Sequence, residues 1–223
     1  MEAGVGRQVD PSRLVKGWAI ERASGLLTAA GAPRHTVNGG GDVRLGAGPE
    51  PGRPWRVGAA APPTAAGHPA RDALLTVVAG SDLAVATSGT AERGHHILES
   101  RTGRPATALA SVTLVGPCLT TVDAYATAAF AMGQAARDWE EDMDDLEALA
   151  VTATGETWRT SGFHRHVPPW HRSCDNVFGC EAGGAGEARA DARTGGGFGG
   201  HAAHCQQGRR SRFAHRLPAV VFP

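Results

Sequence analysis

The chain has 223 residues, and its 22 Lys+Arg balance 22 Asp+Glu to a formal net charge of +0 at pH 7. Nothing in that balance suggests the basic face or stripe on which nucleic-acid binding normally depends, and the length fits one domain, or one smaller domain with an appendage. No apolar run approaches the ~20 residues of a membrane helix, and Met1–Gln8 lacks the apolar core of a secretion signal, so the expectation is a soluble, cytoplasmic chain.

In chain order, Asp10-Pro11-Ser12 is a capping-type entry to a helix predicted from about Leu14 to Ala30 and stopped at Gly31. Trp18, Ile20, Leu26 and Leu27 are its expected buried side. His35-Thr36-Val37 reads as a strand entering the turn Asn38-Gly39-Gly40-Gly41-Asp42, and Val43-Arg44-Leu45 leaves it. Pro54–Gly58, Leu74–Val78 and Leu83–Ala86 read as further strands, with residues 59–72 a surface connection.

His96-Ile97-Leu98 and Ser111–Val115 are also predicted strands. A second helix is expected from about Thr121 to Ala136, an acidic helix from Trp139 to Leu149, and a closing hairpin from Val151-Thr152 and Thr157-Trp158. Helices mixed with antiparallel-looking strands predict an α+β fold, not alternating βαβ units. Composition shifts near residue 165. Residues 166–223, with a Gly-, Ala- and Arg-rich middle, bury too little apolar surface to offset ordering entropy and are expected to be a disordered tail. Three of the four cysteines, Cys174, Cys180 and Cys205, fall there, and their spacing fits structural zinc poorly.

Four constellations could carry chemistry. Asp123 and Thr127 stand four apart on a predicted helix, so a carboxylate and a hydroxyl share one face; hard oxygens suit Mg²⁺, although an exposed acid and a self-bonded threonine would look the same. Lys16, the only lysine in the chain, follows Asp10 and Arg13 at a helix entry, where an anion could bind, and a plain capped helix fits equally. The Asn38–Asp42 turn permits positive φ and close backbone approach to a ligand, as would an ordinary hairpin. Thr87-Ser88-Gly89, Arg93, His96 and Arg101–Arg104 gather hydroxyls, arginines and a histidine in predicted loops, suited to phosphate contact or to mere solvation.

The order and spacing of these motifs resemble the ApbE family. The succession runs Asp10-x(5)-Lys16-Gly17-Trp18-Ala19-x-Glu21-Arg22, Asn38-x-Gly40-Gly41-Asp42-Val43, Pro54–Gly58, Thr87-Ser88-Gly89-Thr90, His96-Ile97, Thr102–Pro105, Ser111-Val112-Thr113 and Asp123-Ala124-x-Ala126-Thr127. It covers roughly Val9 to Phe163, and implies the carboxy-terminal, T-fold-related half of the family fold without its N-terminal portion. The resemblance implies an FAD:protein FMN transferase, moving FMN from FAD to a Thr or Ser hydroxyl of an acceptor flavoprotein and releasing AMP. It implies Mg²⁺ held by Asp123, Thr127 and the Arg13 carbonyl. FAD would contact Asp10, Lys16 and Ile97, with Asn38, Gly40, Gly41, Asp42, Thr87, Ser88 and Gly89 lining the pocket, and His96 is the candidate proton acceptor. The alternative is a catalytically inactive, flavin-binding remnant of the same family. The chain departs from the pattern at Glu99-Ser100, where an Asp-Pro pair is usual, and at Ala91, where an aromatic is common.

Overall fold

A computed structural model describes residues 12–67, 73–91, 94–169 and 219–222, with the backbone alone described at 12–13 and 219–222. Asp10, Arg93 and most of the expected tail, including Cys174, Cys180 and Cys205, lie outside the described residues.

The elements run α1 (Ser12–Ala29), β1 (Thr36–Gly39), β2 (Asp42–Leu45), β3 (Trp55–Ala60), β4 (Leu74–Gly80), β5 (Ala84–Gly89), β6 (Leu109–Gly116), α2 (Leu119–Met132), α3 (Ala136–Glu141), β7 (Glu147–Thr152), β8 (Thr157–Arg159) and β9 (Ala219–Phe222). β1, β2, β5, β6, β7 and β8 form a six-stranded sheet in that order, and β4, β3 and β9 a three-stranded one. Every pairing is antiparallel. The α+β expectation holds.

The period-2 alternation of a strand sorts the core into two layers. Ala84, Ala86, Val112, Leu114, Ala148 and Ala150 turn one face of the large sheet to Leu119, Val122, Ala126 and Phe130 of α2 and to Ile20 of α1. Val43, Leu45, Val85, Val115 and Leu149, of opposite parity, pack with Val57 and Val78 of the small sheet. On β2 this parity sends Val43 and Leu45 one way and leaves Asp42 and Arg44 to meet α1. The polar site is therefore written into strand register.

Several expectations are corrected. Trp18 and Leu26 are each 57% exposed and Leu27 is exposed too, so of the four residues expected to bury α1 only Ile20 does so. The inward face of α1 is instead Gly17, Ile20 and Ser24, with Glu21 half-buried; at Gly17 the two helices approach too closely for a larger side chain, since a Cβ there would stand 2.7 Å from the Leu119 carbonyl oxygen. The acidic helix from Trp139 to Leu149 ends at Glu141. Asp145 adopts φ 62 in the turn that follows, and Glu147–Thr152 becomes a fully buried strand on β6, where burial on both faces outweighs the helix propensity of its Glu, Ala and Leu. Thr87-Ser88-Gly89 belongs to β5, not to a loop. His96-Ile97-Leu98 forms no strand, only an isolated bridge from Leu98 to Pro105. Ala59 and Ala60 continue β3, and past residue 165 Val167 is buried in the second core layer while Ala219–Phe222 adds a strand to β3.

Candidate active site

The β1–β2 hairpin turns at Gly40 and Gly41, both at positive φ (66° and 92°), a conformation that glycine adopts without the Cβ penalty of other residues. The Asn38 Oδ1 accepts from the Gly41 N–H at 3.0 Å, and Gly39 lets the hairpin press on α1, since a Cβ there would lie 2.5 Å from Ile20 Cδ1. Asp42 opens β2 directly after this turn. These glycines and Asn38 shape the hairpin that delivers Asp42.

Asp42 and Asp123 are both buried, at 1% and 2% exposure. Between them lies the half-buried ammonium of Lys16, ion-paired to Asp42 Oδ2 and 3.4 Å from Asp123 Oδ1. The Thr87 N–H donates to Asp42 Oδ1 at 3.2 Å. Burial pushes the Asp42 carboxyl up to about 6; Lys16 opposes the rise, the negative charge of Asp123 adds to it, and the Thr87 N–H opposes it weakly. Asp123 Oδ2 is buried and has no hydrogen-bond partner among the described residues. Two buried acids against one ammonium leave this cluster one negative charge in excess when all are ionised.

One turn along α2 from Asp123, the Thr127 Oγ1 donates to the Asp123 carbonyl at 3.2 Å and lies 3.3 Å from Ser88 Oγ of β5. Ser88 thus faces the helices. Thr87 does not: its hydroxyl pairs with Thr113 at 2.9 Å, on the face of Val85 and Val115, so its main chain, not its side chain, reaches the acid cluster. A Cβ on Gly89 would lie 2.8 Å from the Ala110 carbonyl oxygen; its role is close strand packing.

Ile97 is buried in the first core layer, and its carbonyl accepts from the Ala106 N–H at 2.8 Å. His96 beside it is exposed, its Nδ1 3.0 Å from the Gly94 carbonyl. No described contact joins His96 to the Lys16–Asp42–Asp123 cluster. Arg13 lies in the first turn of α1, one turn before Gly17, and a Cβ on Gly17 would lie 2.9 Å from Asp123 Cβ. The start of α1 and Asp123 are therefore brought to the same place.

Among the described residues no three of His, Cys, Asp and Glu converge as a metal cluster. What lies there is an unpartnered carboxylate oxygen at Asp123, with the Thr127 hydroxyl one turn on, bonded to the Asp123 carbonyl, and α1 close by at Gly17. Hard oxygens with net negative charge fit a Mg²⁺-type ion. An open groove of about 400 Å³ among Arg34, Gly48, Glu50, Arg53 and Ser81 is lined by none of these residues.

Sequence reading missed Glu21. Its Oε1 accepts from Arg44 Nε at 3.0 Å, and its Oε2 accepts from the Leu119 N–H at 2.6 Å. The residue before α2, Cys118, makes no side-chain cap bond, so a residue of α1 caps α2 across the interface. The acid-Arg pair after Lys16-Gly17 was the available signal.

Fold and site together define an α+β domain that holds an acid–lysine–acid cluster between a helix pair and an antiparallel sheet. The ApbE family model matches residues 2–150, and the chain belongs to that family. It is 26% identical over 160 residues to the FAD:protein FMN transferase of Vibrio cholerae, covering 68% of this chain and 46% of the relative. To that of Treponema pallidum it is 34% identical over 150 residues, covering 59% and 40%. Its fold matches the crystal structure of the ApbE protein from Thermotoga maritima with a TM-score of 0.62 and 31% identity, over 72% of this chain and 54% of the other. For the flavin transferase ApbE from Vibrio cholerae the values are 0.61, 28%, 71% and 52%. The chain spans about half the length of the relatives it matches.

Proposed function

We propose that this chain carries the metal- and phosphate-handling part of an FAD:protein FMN transferase. The observation that carries the reading is the unpartnered Asp123 Oδ2, buried beside Lys16 and one helical turn from the Thr127 hydroxyl. Asp123, Thr127 and the Arg13 carbonyl would hold Mg²⁺, which when bound supplies charge neutralisation at a phosphate oxygen.

In the proposed reaction a Thr or Ser hydroxyl of an acceptor flavoprotein attacks the FMN-side phosphorus of FAD. One P–O bond forms to the acceptor, the P–O bond to the bridging oxygen breaks, and AMP leaves. The residues of this chain contribute charge and position, the main sources of rate in phosphoryl transfer. Lys16, tethered by Asp42, presents an ammonium to the pyrophosphate. Asp42 is itself held by the Thr87 N–H, so the ammonium is aimed by the sheet. Ser88 fixes the Thr127 hydroxyl, and Asp10 and Ile97 belong to the proposed flavin contacts. His96 takes the acceptor proton in this reading: its side chain is exposed, so an acceptor protein can reach it, and an imidazole nitrogen can accept a proton.

The test is incubation with FAD, Mg²⁺ and a threonine-containing acceptor peptide, following peptide mass and AMP together. Transfer that EDTA abolishes supports the reading. FAD binding without AMP release supports the inactive, flavin-binding remnant, and transfer indifferent to EDTA rejects the metal's role.

A further inference from the structure

The two helices of the site cross as a ladder with two rungs. On the first, Gly17 of α1 meets Asp123 and the Leu119 carbonyl of α2. On the second, one turn further along α1 and one turn back along α2, the Glu21 carboxylate receives the Leu119 N–H at 2.6 Å. Its other oxygen receives Arg44 Nε at 3.0 Å, from the strand that begins with Asp42. A single side chain thus ties together the three elements that supply Lys16, Asp42 and Asp123.

The bond to Leu119 is a strong one by chemistry. It is charge-assisted, it satisfies one of the orphan N–H groups of a helix start, and it places a carboxylate at the positive end of the helix dipole. Leu119 itself is fully buried, and the Glu21 carboxylate is the acceptor its N–H finds in the fold. Only the missing Cβ of Gly17 separates the backbones on the neighbouring rung, so a slip of α2 along α1 moves Asp123 directly.

We infer that Glu21 is the positioning residue of this site: with Arg44 it clamps the start of α2 to α1 and so fixes Asp123 and Thr127 against Lys16 and the opening of α1. In this inference Glu21 acts through α2 and not as a ligand. The metal half of this inference rests on the function proposed above; the clamp itself does not.

The experiment compares wild type, Glu21→Ala, Glu21→Gln and Val57→Ala as full chains. Val57→Ala is a control that opens the opposite core layer. Mn²⁺ alone is titrated and the free ion read by electron paramagnetic resonance, while exchange of the Leu119 amide is followed by NMR without metal. Glu21→Ala is expected to weaken Mn²⁺ binding about 10- to 100-fold, the usual effect of removing support behind a ligand, and to speed exchange at Leu119 well beyond the control. Glu21→Gln keeps one acceptor for the Leu119 N–H but loses the charge and the second acceptor that holds Arg44, so it is expected to restore part of both, which a purely electrostatic role would not. Should Glu21→Ala fail to fold, Glu21→Gln against Arg44→Met decides the same point. Mn²⁺ binding and Leu119 exchange equal to those of Val57→Ala overturn the inference. If wild type itself binds no Mn²⁺, the functional reading fails, and Leu119 exchange alone then decides the clamp.

Discussion

Glu140 is fully buried on α3, and neither of its carboxylate oxygens has a hydrogen-bond partner among the described residues. Its helix packs on α2 and β7. Titratable groups on these elements are Asp123 and Tyr125 of α2, the latter with its ring tilted on Trp139 at 5.2 Å, Glu147 of β7, which is committed to Thr160 and Arg165, and Arg137, Asp138 and Glu141 of α3 itself. Burial pushes Glu140 from 4.5 up to about 7. An acid raised on folding binds more protons folded than unfolded, so its contribution is fully present below about 4.5 and is lost as pH rises to about 7. The loss is about 3 kcal/mol, at about 1.4 kcal/mol for each tenfold change in ionisation. For a domain of this size it corresponds to a fall in melting temperature of about 6–12 °C. Glu140→Gln removes the titration. Its amide carries a constant burial cost, so the informative quantity is the slope of melting temperature against pH, followed by calorimetry from pH 5 to 8. The wild type should lose stability across that range and the variant should lose markedly less. Equal slopes in the two proteins would refute the assignment.

Other perturbations probe the site. Asp42 is also raised, to about 6, so its charge weighs against folding as pH climbs from about 4 through 6; Asp42→Asn should melt no lower than wild type at pH 7.5 yet bind FAD more weakly, read by differential scanning fluorimetry and flavin fluorescence. Gly17→Ala places a Cβ 2.7 Å from the Leu119 oxygen; the overpacking should cost about 1–3 kcal/mol, more than the helix propensity gained, and should weaken Mn²⁺ binding in the same variant. His96→Ala should lower kcat about 10²- to 10⁴-fold with little change in KM for FAD, and an unchanged pH profile would remove His96 from proton transfer.

The first six strands and the first two helices were legible because turn glycines and alternation mark them locally, whereas the expected strand at His96–Leu98 is only an isolated bridge. The sheet's parity was not: Thr87 and Ser88 read alike as hydroxyls, and only register shows that Ser88 faces Thr127 while Thr87 faces Thr113. Trp18 and Leu26 misled because α1 buries its small and polar face, a choice made by the close approach of α2 at Gly17. The run from Glu147 carries strong helix formers, and its strand identity comes from β6 and β8 on either side. Lys16, Asp42, Asp123 and Thr127 were each visible in the motifs. Their convergence required the crossing of the two helices, and Glu21, which ties that crossing, showed in the sequence only as the acid of the Glu21-Arg22 pair.

The proposed reaction needs a divalent cation at Asp123 to assist transfer to a hydroxyl. The direct measurement is AMP release and FMN-peptide formation by wild type and Asp123→Ala, titrated with Mg²⁺ and reversed with EDTA. Stoichiometric AMP and labelled peptide from wild type, saturating with Mg²⁺ and absent in the folded variant, are the predicted result. Transfer by Asp123→Ala at the wild-type rate, or by wild type in EDTA, would contradict it.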